Sequence, residues 1–273
     1  MTIDVALPRV TRFSIGRVLR DSFVIFGRNI LLFGGFFGGV ALVMRLLSLF
    51  APVAASFPDP DGGTNWVAFG LTRGLDFVIG GLTEAAVVFA TFQCLRGHRA
   101  TISDVARGLR LAVPIILAGV VYSIPQIASE LIEQAIPETA WFVDLVTLVL
   151  SVGSFVLMVM WLVYVPAIAI EEKGVFASLG RSAQLTKGRR WAIVGVFVVV
   201  MIAVFVPLLA IVSTTDLSID ALTASPLTLF GAIGHVFYAL TTAFFAVLVT
   251  VAYFYLRIEK EGSGVEDVVS VFD

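Results

Sequence analysis

Residues 191–212 read WAIVGVFVVVMIAVFVPLLAIV, and none of these side chains carries a charge. A helix needs about 20 mostly apolar residues to cross the hydrocarbon core of a bilayer, so this stretch predicts a transmembrane helix. The rest of the chain is similar, since 59% of its 273 residues are hydrophobic and 14% are charged. Ordinary soluble domains are about 25% charged, and disordered chains are polar. The composition therefore excludes both a soluble globular protein and a disordered one.

Working outward from 191–212, five further segments meet the same length criterion, and none alternates with the period of two that a membrane barrel requires. We expect an all-α polytopic membrane protein with six transmembrane helices in a single domain over 1–273. A tail at 258–273 follows the last helix. The predicted spans are 30–50, 77–93, 111–127, 141–170, 191–212 and 226–256.

The basic residues fall unequally on the two sides that six spans define. Of the 18 lysines and arginines, 16 lie on the side that holds both termini, and only Arg45 and Arg73 lie elsewhere. The positive-inside rule therefore predicts that both termini are cytoplasmic. The opposite loops are acidic, so the net charge of -2 is the sum of a basic face and an acidic face.

Three short amphipathic segments on the predicted cytoplasmic side precede the odd-numbered spans, at 14–28, 101–110 and 175–189. The second opens with Thr101 and Asp104, which fits a capping box with a shorter acid. Arginine on one face and apolar side chains on the other are typical of a helix lying at the membrane interface. Packing between the spans is the alternative. An amphipathic helix followed by two spans occurs three times along the chain. This order indicates a threefold pseudo-repeat.

Several short motifs resemble one bacterial family. They are EEKG at 171–174, SLGRSAQLTKGRRW at 178–191, LRDSF at 19–23, YLR at 255–257, EKEG at 259–262 and VFD at 271–273. In these motifs the chain is similar to six-span proteins related to the membrane domain of glycerophosphoryl diester phosphodiesterases. The resemblance implies the bacterial inner membrane. The catalytic unit of that family is a separate soluble barrel, and the chain has no room for one, so the resemblance implies no enzyme activity here.

Charged residues inside a span are costly, and by default they mark a function or a structural pair. Arg45 and Glu84 are the two clear cases, and an Arg45–Glu84 pair is one expectation. Four polar residues fall at similar depth and extend this pair to a layer in the outer half: Tyr122, Gln126, His235 and Tyr238. Such a layer either lines a cavity for a substrate or proton, or joins the helices by hydrogen bonds.

The basic rim predicts contact with anionic lipid headgroups, although part of it is the topology signal of any inner-membrane protein. The candidates are Arg17, Arg20, Arg28, Arg107, Arg110, Arg181, Lys187, Arg189 and Arg190.

We expect no cofactor, no metal and no nucleic-acid partner, because the sequence has no matching motif and a single cysteine, Cys94. The leading interpretation is a non-enzymatic, lipid-associated scaffold or accessory subunit. Such a protein would bind a protein partner or form a homo-oligomer. The alternative is a small-solute transporter or channel that uses the layer around Arg45 and Glu84.

Overall fold

A computed structural model describes residues 13–48, 66–135, 141–214 and 229–261. Within these ranges the chain forms α-helices and no strands, which confirms the all-α fold. The helices are α1 (Ile15–Arg28), α2 (Ile30–Ser48), α3 (Trp66–Leu95), α4 (Ile102–Leu109), α5 (Ala112–Ala135), α6 (Trp141–Trp161), α7 (Tyr164–Glu171), α8 (Val175–Thr186), α9 (Arg190–Thr214) and α10 (Leu229–Glu261).

Among the described residues, five helical stretches are long and apolar enough to cross a membrane. They are Arg73–Leu95, Ala112–Glu133, Phe142–Glu171, Arg190–Ala210 and Val236–Glu261. A sixth arises if Ile15–Arg28 and Ile30–Val40 count as one span, although the two helices meet at 78°. Stretches of this length and composition indicate a membrane protein with five or six spans.

The core lies where α10 passes α3. Ala85, Ala86, Val87 and Val88 of α3 are buried, and so is almost every residue of α10 from Ala243 to Leu256. Helix α10 also contacts α1 and α2, so it is the central element of the bundle. The outward faces of α6 and α9 expose many valine and leucine side chains instead, as helices that face lipid do.

The three amphipathic segments form helices α1, α4 and α8. Helix α1 buries Val18, Ser22 and Ile25 on the side that faces α10 and α9. At α4 the capping box is confirmed, since Thr101 Oγ1 accepts from the Asp104 amide and an Asp104 carboxylate oxygen accepts from the Thr101 amide at 2.9 Å. These two bonds satisfy amide groups that a bare helix start leaves unpaired.

Helix α4 packs directly along α3. A Cβ added at Gly108 would lie 2.1 Å from the carbonyl oxygen of Ala85, so the two backbones approach as closely as a glycine permits. The next helix, α5, consequently starts beside the middle of α3 and not beside its end at Leu95. This offset decides which residues of α3 and α5 face each other.

A break at Leu162 and Val163 separates α6 from α7 within the predicted span 141–170. The hydroxyl of Ser182 accepts from the Val163 amide at 3.1 Å and donates to the Met160 carbonyl at 3.1 Å. Thr186 Oγ1 donates to the same carbonyl at 3.0 Å. Side chains of α8 thus satisfy backbone groups that the break releases. Pro166 then falls in the first turn of α7, where proline is tolerated.

Candidate functional sites at the basic end and in a polar cavity

An ion-pair cluster lies where α7, α8 and the C-terminal turns of α10 meet. Arg181 Nε donates to both carboxylate oxygens of Glu171, at 2.9 and 3.0 Å, and its Nη2 donates to Glu261. Tyr253 Oη donates to Glu171 at 2.6 Å, and Arg257 Nε donates to Glu261 at 2.9 Å. Charge-assisted hydrogen bonds of this kind fix orientation strongly. The cluster therefore joins α8 to α10.

Burial and hydrogen bonding act on the pKa of Arg181 in opposite directions. Burial alone would lower this pKa, but the hydrogen bonds that Arg181 makes to Glu261 and Glu171 raise it above its ordinary value. Arg181 is therefore held in its cationic form by its partners.

Three further contacts attach Phe13, α1 and the start of α9 to α10. Arg189 Nε donates to Glu259 Oε1 at 2.8 Å, and the backbone amide of Phe13 donates to Glu259 Oε2 at 2.6 Å. The hydroxyl of Tyr255 donates to Asp21 of α1. Together with the cluster, these contacts bring α1, α7, α8 and the start of α9 to one end of α10, which we call the basic end.

The sequence analysis named Arg181 and Arg189 as headgroup ligands, and the structure pairs both with glutamates. Their partners Glu171, Glu259 and Glu261 were missed as site residues. A signal for all three was present, because Glu171, Glu259 and Glu261 fall inside the motifs that carry the family resemblance. Acidic residues in an otherwise basic rim are the pattern that would have found them.

The other headgroup candidates are distributed differently. Arg20, Arg28, Arg107, Arg110 and Lys187 are exposed, whereas Arg17 and Arg190 are half-buried.

Large apolar side chains are exposed on the same elements. Trp191 is 86% exposed, and Ile102 and Phe176 are each 77% exposed. Phe23 and Val24 of α1 are 55% and 44% exposed, and the ring of Phe23 also contacts Phe244 of α10, with centroids 4.6 Å apart. The basic end therefore presents cationic and large apolar groups side by side.

A second candidate site is a polar cavity of about 150 Å³ between α3, α5 and α7. Glu84 of α3 and Tyr122 of α5 line it, together with Tyr164 at the start of α7. Tyr164 hydrogen-bonds to Glu84, and the rings of Tyr122 and Tyr164 stack with centroids 6.1 Å apart and planes 24° apart. Glu84 is half-buried as a residue and lines this space.

Glycines on both helices shape the cavity. A Cβ at Gly81 would lie 2.4 Å from Ile116 Cγ1, so α3 and α5 touch there. One residue earlier, a Cβ at Gly80 would meet nothing within 4 Å, and Gly80 is exposed at the cavity edge. On the opposite wall a Cβ at Gly119 would lie 3.4 Å from Tyr164 Oη. Close contact at Gly81 beside small residues thus leaves an open space next to Glu84.

The structure brings together only part of the predicted polar layer. Glu84 and Tyr122 meet, with Tyr164 as a partner that the sequence analysis missed. Gln126 is exposed and donates to Glu130 at 3.3 Å, while Tyr238 is 68% exposed. The side chains of the other two members, Arg45 and His235, lie outside the described residues.

The cavity also lies closer to the basic end than the sequence predicted. Tyr164 is seven residues before Glu171, a rise of about 10 Å. The cavity residues of α5 fall in the half of the stretch Ala112–Glu133 that is nearer the basic end. The cause is the packing of α4 along α3, which places the start of α5 beside Ala85.

Neither site resembles a metal centre in the part of the chain that the structure describes, where no group of three or more His, Cys, Asp or Glu side chains is placed to hold an ion. No known protein family, no curated protein and no solved structure matches the chain.

Proposed function

We propose that this chain is a non-enzymatic, multi-span protein of the bacterial inner membrane that binds anionic lipid headgroups through its basic end. Both termini are then cytoplasmic, and the protein acts as a scaffold or accessory subunit. The observation that carries the proposal is that α1, α4, α8 and the start of α9 expose both cations and large apolar side chains, the latter being Phe23, Ile102, Phe176 and Trp191.

The geometry of α1 supports an interfacial position. Helix α1 meets α2 at 78°, so the two cannot both run along the membrane normal. A helix in the interface places apolar side chains among the acyl chains and arginine among the headgroups. The exposed residues of α1 match this requirement, since Phe23 and Val24 accompany Arg20 and Arg28.

The relation to the membrane domain of glycerophosphoryl diester phosphodiesterases is part of this proposal. Its support is that motif residues far apart in the sequence come into contact at the basic end. Glu261 pairs with Arg181, Glu259 pairs with Arg189, and Asp21 accepts from Tyr255. A shared motif of this kind would then specify how the interfacial helices attach to the bundle.

Lipid preference is measurable by fluorescence quenching at Trp191. The protein with Phe in place of Trp66, Trp141 and Trp161 is reconstituted with brominated phosphatidylglycerol or brominated phosphatidylcholine at equal mole fractions. We expect stronger quenching by the anionic lipid. Replacing Arg107, Arg110 and Lys187 with Gln should reduce this preference, by up to about 100-fold if each contributes its usual 1 kcal/mol or so.

The matched control is Arg73→Gln, which removes one cation at the opposite end of the bundle, where Arg73 pairs with Glu130 at 2.7 Å. It should leave the preference unchanged. Equal quenching by the two lipids in the otherwise unaltered protein would overturn the proposal.

A second candidate function is small-solute transport or conduction through the layer around Arg45 and Glu84. The observation that favours it is the cavity, since an intramembrane carboxyl group that borders open space is a common feature of solute paths. Solute flux into proteoliposomes that stops in Glu84→Gln would support it. Flux that persists unchanged in Glu84→Gln would exclude this residue from the path.

A further inference from the structure

The polar cavity has one ionisable acid and no described cationic lining residue. Glu84 supplies a carboxyl group, and Tyr122, Tyr164 and Ser123 supply hydroxyl groups. Burial of a carboxylate in a span is costly unless a positive group compensates it. The ionised form of Glu84 therefore favours a cationic occupant over an anionic or neutral one, because without such an occupant the buried carboxyl group is more stable with its proton.

The aromatic rings of the cavity indicate the chemical nature of the occupant. Phe77, Tyr122 and Tyr164 all line the cavity, so a cation beside Glu84 would also lie close to aromatic rings. Ring faces attract ammonium groups, and alkyl groups on the nitrogen add apolar contact. A bare divalent metal ion would need about six oxygen ligands, which these side chains do not offer.

The volume of the cavity limits the size of its occupant. A cavity of about 150 Å³ is comparable to an engineered protein cavity that admits benzene. Drug-sized ligands need about 300 Å³ or more. The space near Glu84 therefore fits a cation with roughly half a dozen non-hydrogen atoms.

We propose that the polar cavity binds a small organic ammonium group, with its nitrogen against the Glu84 carboxylate and its carbon atoms against Tyr122, Tyr164 and Phe77. The group has two sources. One is a free alkylammonium solute, and the other is the amine headgroup of a phospholipid, which the exposed edge at Gly80 would admit. This inference goes beyond anionic-lipid binding at the basic end, and it holds whether or not a solute crosses the membrane.

The test is calorimetric titration of the full chain in nanodiscs of phosphatidylcholine. The probe is n-butylammonium, and n-butanol is its neutral counterpart of the same size. We expect n-butylammonium to bind and n-butanol not to compete. Glu84→Gln should weaken binding about 10- to 100-fold, the usual loss when a hydrogen bond to a charged group is removed.

Two variants separate the site from general damage to the fold. Glu130→Gln makes the same chemical change on α5 outside the cavity and should leave the affinity within about twofold. Ser123→Leu keeps Glu84 and fills the cavity, so it should also abolish binding. Unweakened binding in Glu84→Gln, equal competition by n-butanol, or absence of n-butylammonium binding would each overturn the inference.

The source is assigned by repeating the titration in nanodiscs that contain phosphatidylethanolamine. Weaker apparent binding of n-butylammonium there would show that the lipid amine occupies the cavity. Unchanged binding would assign the site to a free solute. Both results support an ammonium site, and neither depends on the lipid preference measured at Trp191 or on solute flux.

Discussion

Substitution of Gly108 by alanine probes the close contact between α4 and α3. The added Cβ would lie 2.1 Å from the carbonyl oxygen of Ala85, 2.9 Å from its carbonyl carbon and 3.2 Å from Ala86 Cα. Ordinary contacts between carbon and a carbonyl oxygen begin near 3.3 Å. Because the obstacle is buried backbone and not the end of a flexible side chain, α4 must move away from α3 by about 1 Å.

The cost follows from two opposing effects. Overpacking of this kind destabilises by about 1–3 kcal/mol, and the rigid obstacle favours the upper end of that range. Alanine also stabilises a helix relative to glycine by about 1 kcal/mol. We therefore expect Gly108→Ala to lower the free energy of unfolding by about 2 kcal/mol.

Gly180 provides the matched control, because it lies in the exposed part of α8 and an added Cβ there meets nothing within 4 Å. Gly180→Ala should raise the free energy of unfolding by up to about 1 kcal/mol.

The assay is unfolding of the purified protein in mixed micelles with increasing sodium dodecyl sulfate, followed by circular dichroism and tryptophan fluorescence. The two alanine variants should shift the midpoint in opposite directions. If Gly108→Ala is as stable as the unaltered protein, or shifts in the same direction as Gly180→Ala, then α4 does not pack against α3 as described.

Three other substitutions test local contacts. Ser182→Ala leaves the buried Val163 amide without its acceptor and should cost about 1–3 kcal/mol in the same unfolding assay, whereas the exposed Ser213→Ala should have almost no effect. Thr101→Ala removes one half of the capping box and should cost about 1 kcal/mol, visible as faster amide exchange in the first turn of α4; unchanged protection would contradict the cap. Tyr253→Phe keeps the buried ring but removes the hydrogen bond to Glu171, and it should destabilise by about 1–3 kcal/mol, with an unshifted midpoint counting against that bond.

The fold class was predictable because it depends on local sequence. Apolar runs such as 191–212 are long enough to span a bilayer in any context, and the capping box needs only Thr101 and Asp104. The break at Leu162 and Val163 was not predictable in the same way. Pro166, three residues after the break, indicates an interruption of the helix but not its position. The groups that stabilise the break are Ser182 and Thr186 of α8.

The two candidate sites were also only partly predictable, because they depend on contacts between residues far apart in the sequence. A charge count over loops predicts an orientation of the bundle in the membrane, but it does not predict the partner of any arginine. Arg181 and Arg189 looked available for lipid because Glu261 and Glu259 are 80 and 70 residues away in the sequence. Tyr164 was missed as a partner of Glu84 because its position depends on the break before α7 and on the offset of α5 along α3.

The basic end therefore contains two groups of cations with different physical roles. Arg181 and Arg189 are partly buried and pair with glutamates, so they fix the positions of α8 and the start of α9 on α10. Arg20, Arg28, Arg107, Arg110 and Lys187 stay exposed on elements that the packing has already positioned. In the proposed function, only these exposed cations meet headgroups, and they do so at spacings that the buried pairs and the contact at Gly108 determine. If the helices that carry the exposed cations were not attached to the bundle, they would lose conformational entropy on binding lipid. Because internal ion pairs already fix these helices, much of that entropy is lost on folding and not on binding.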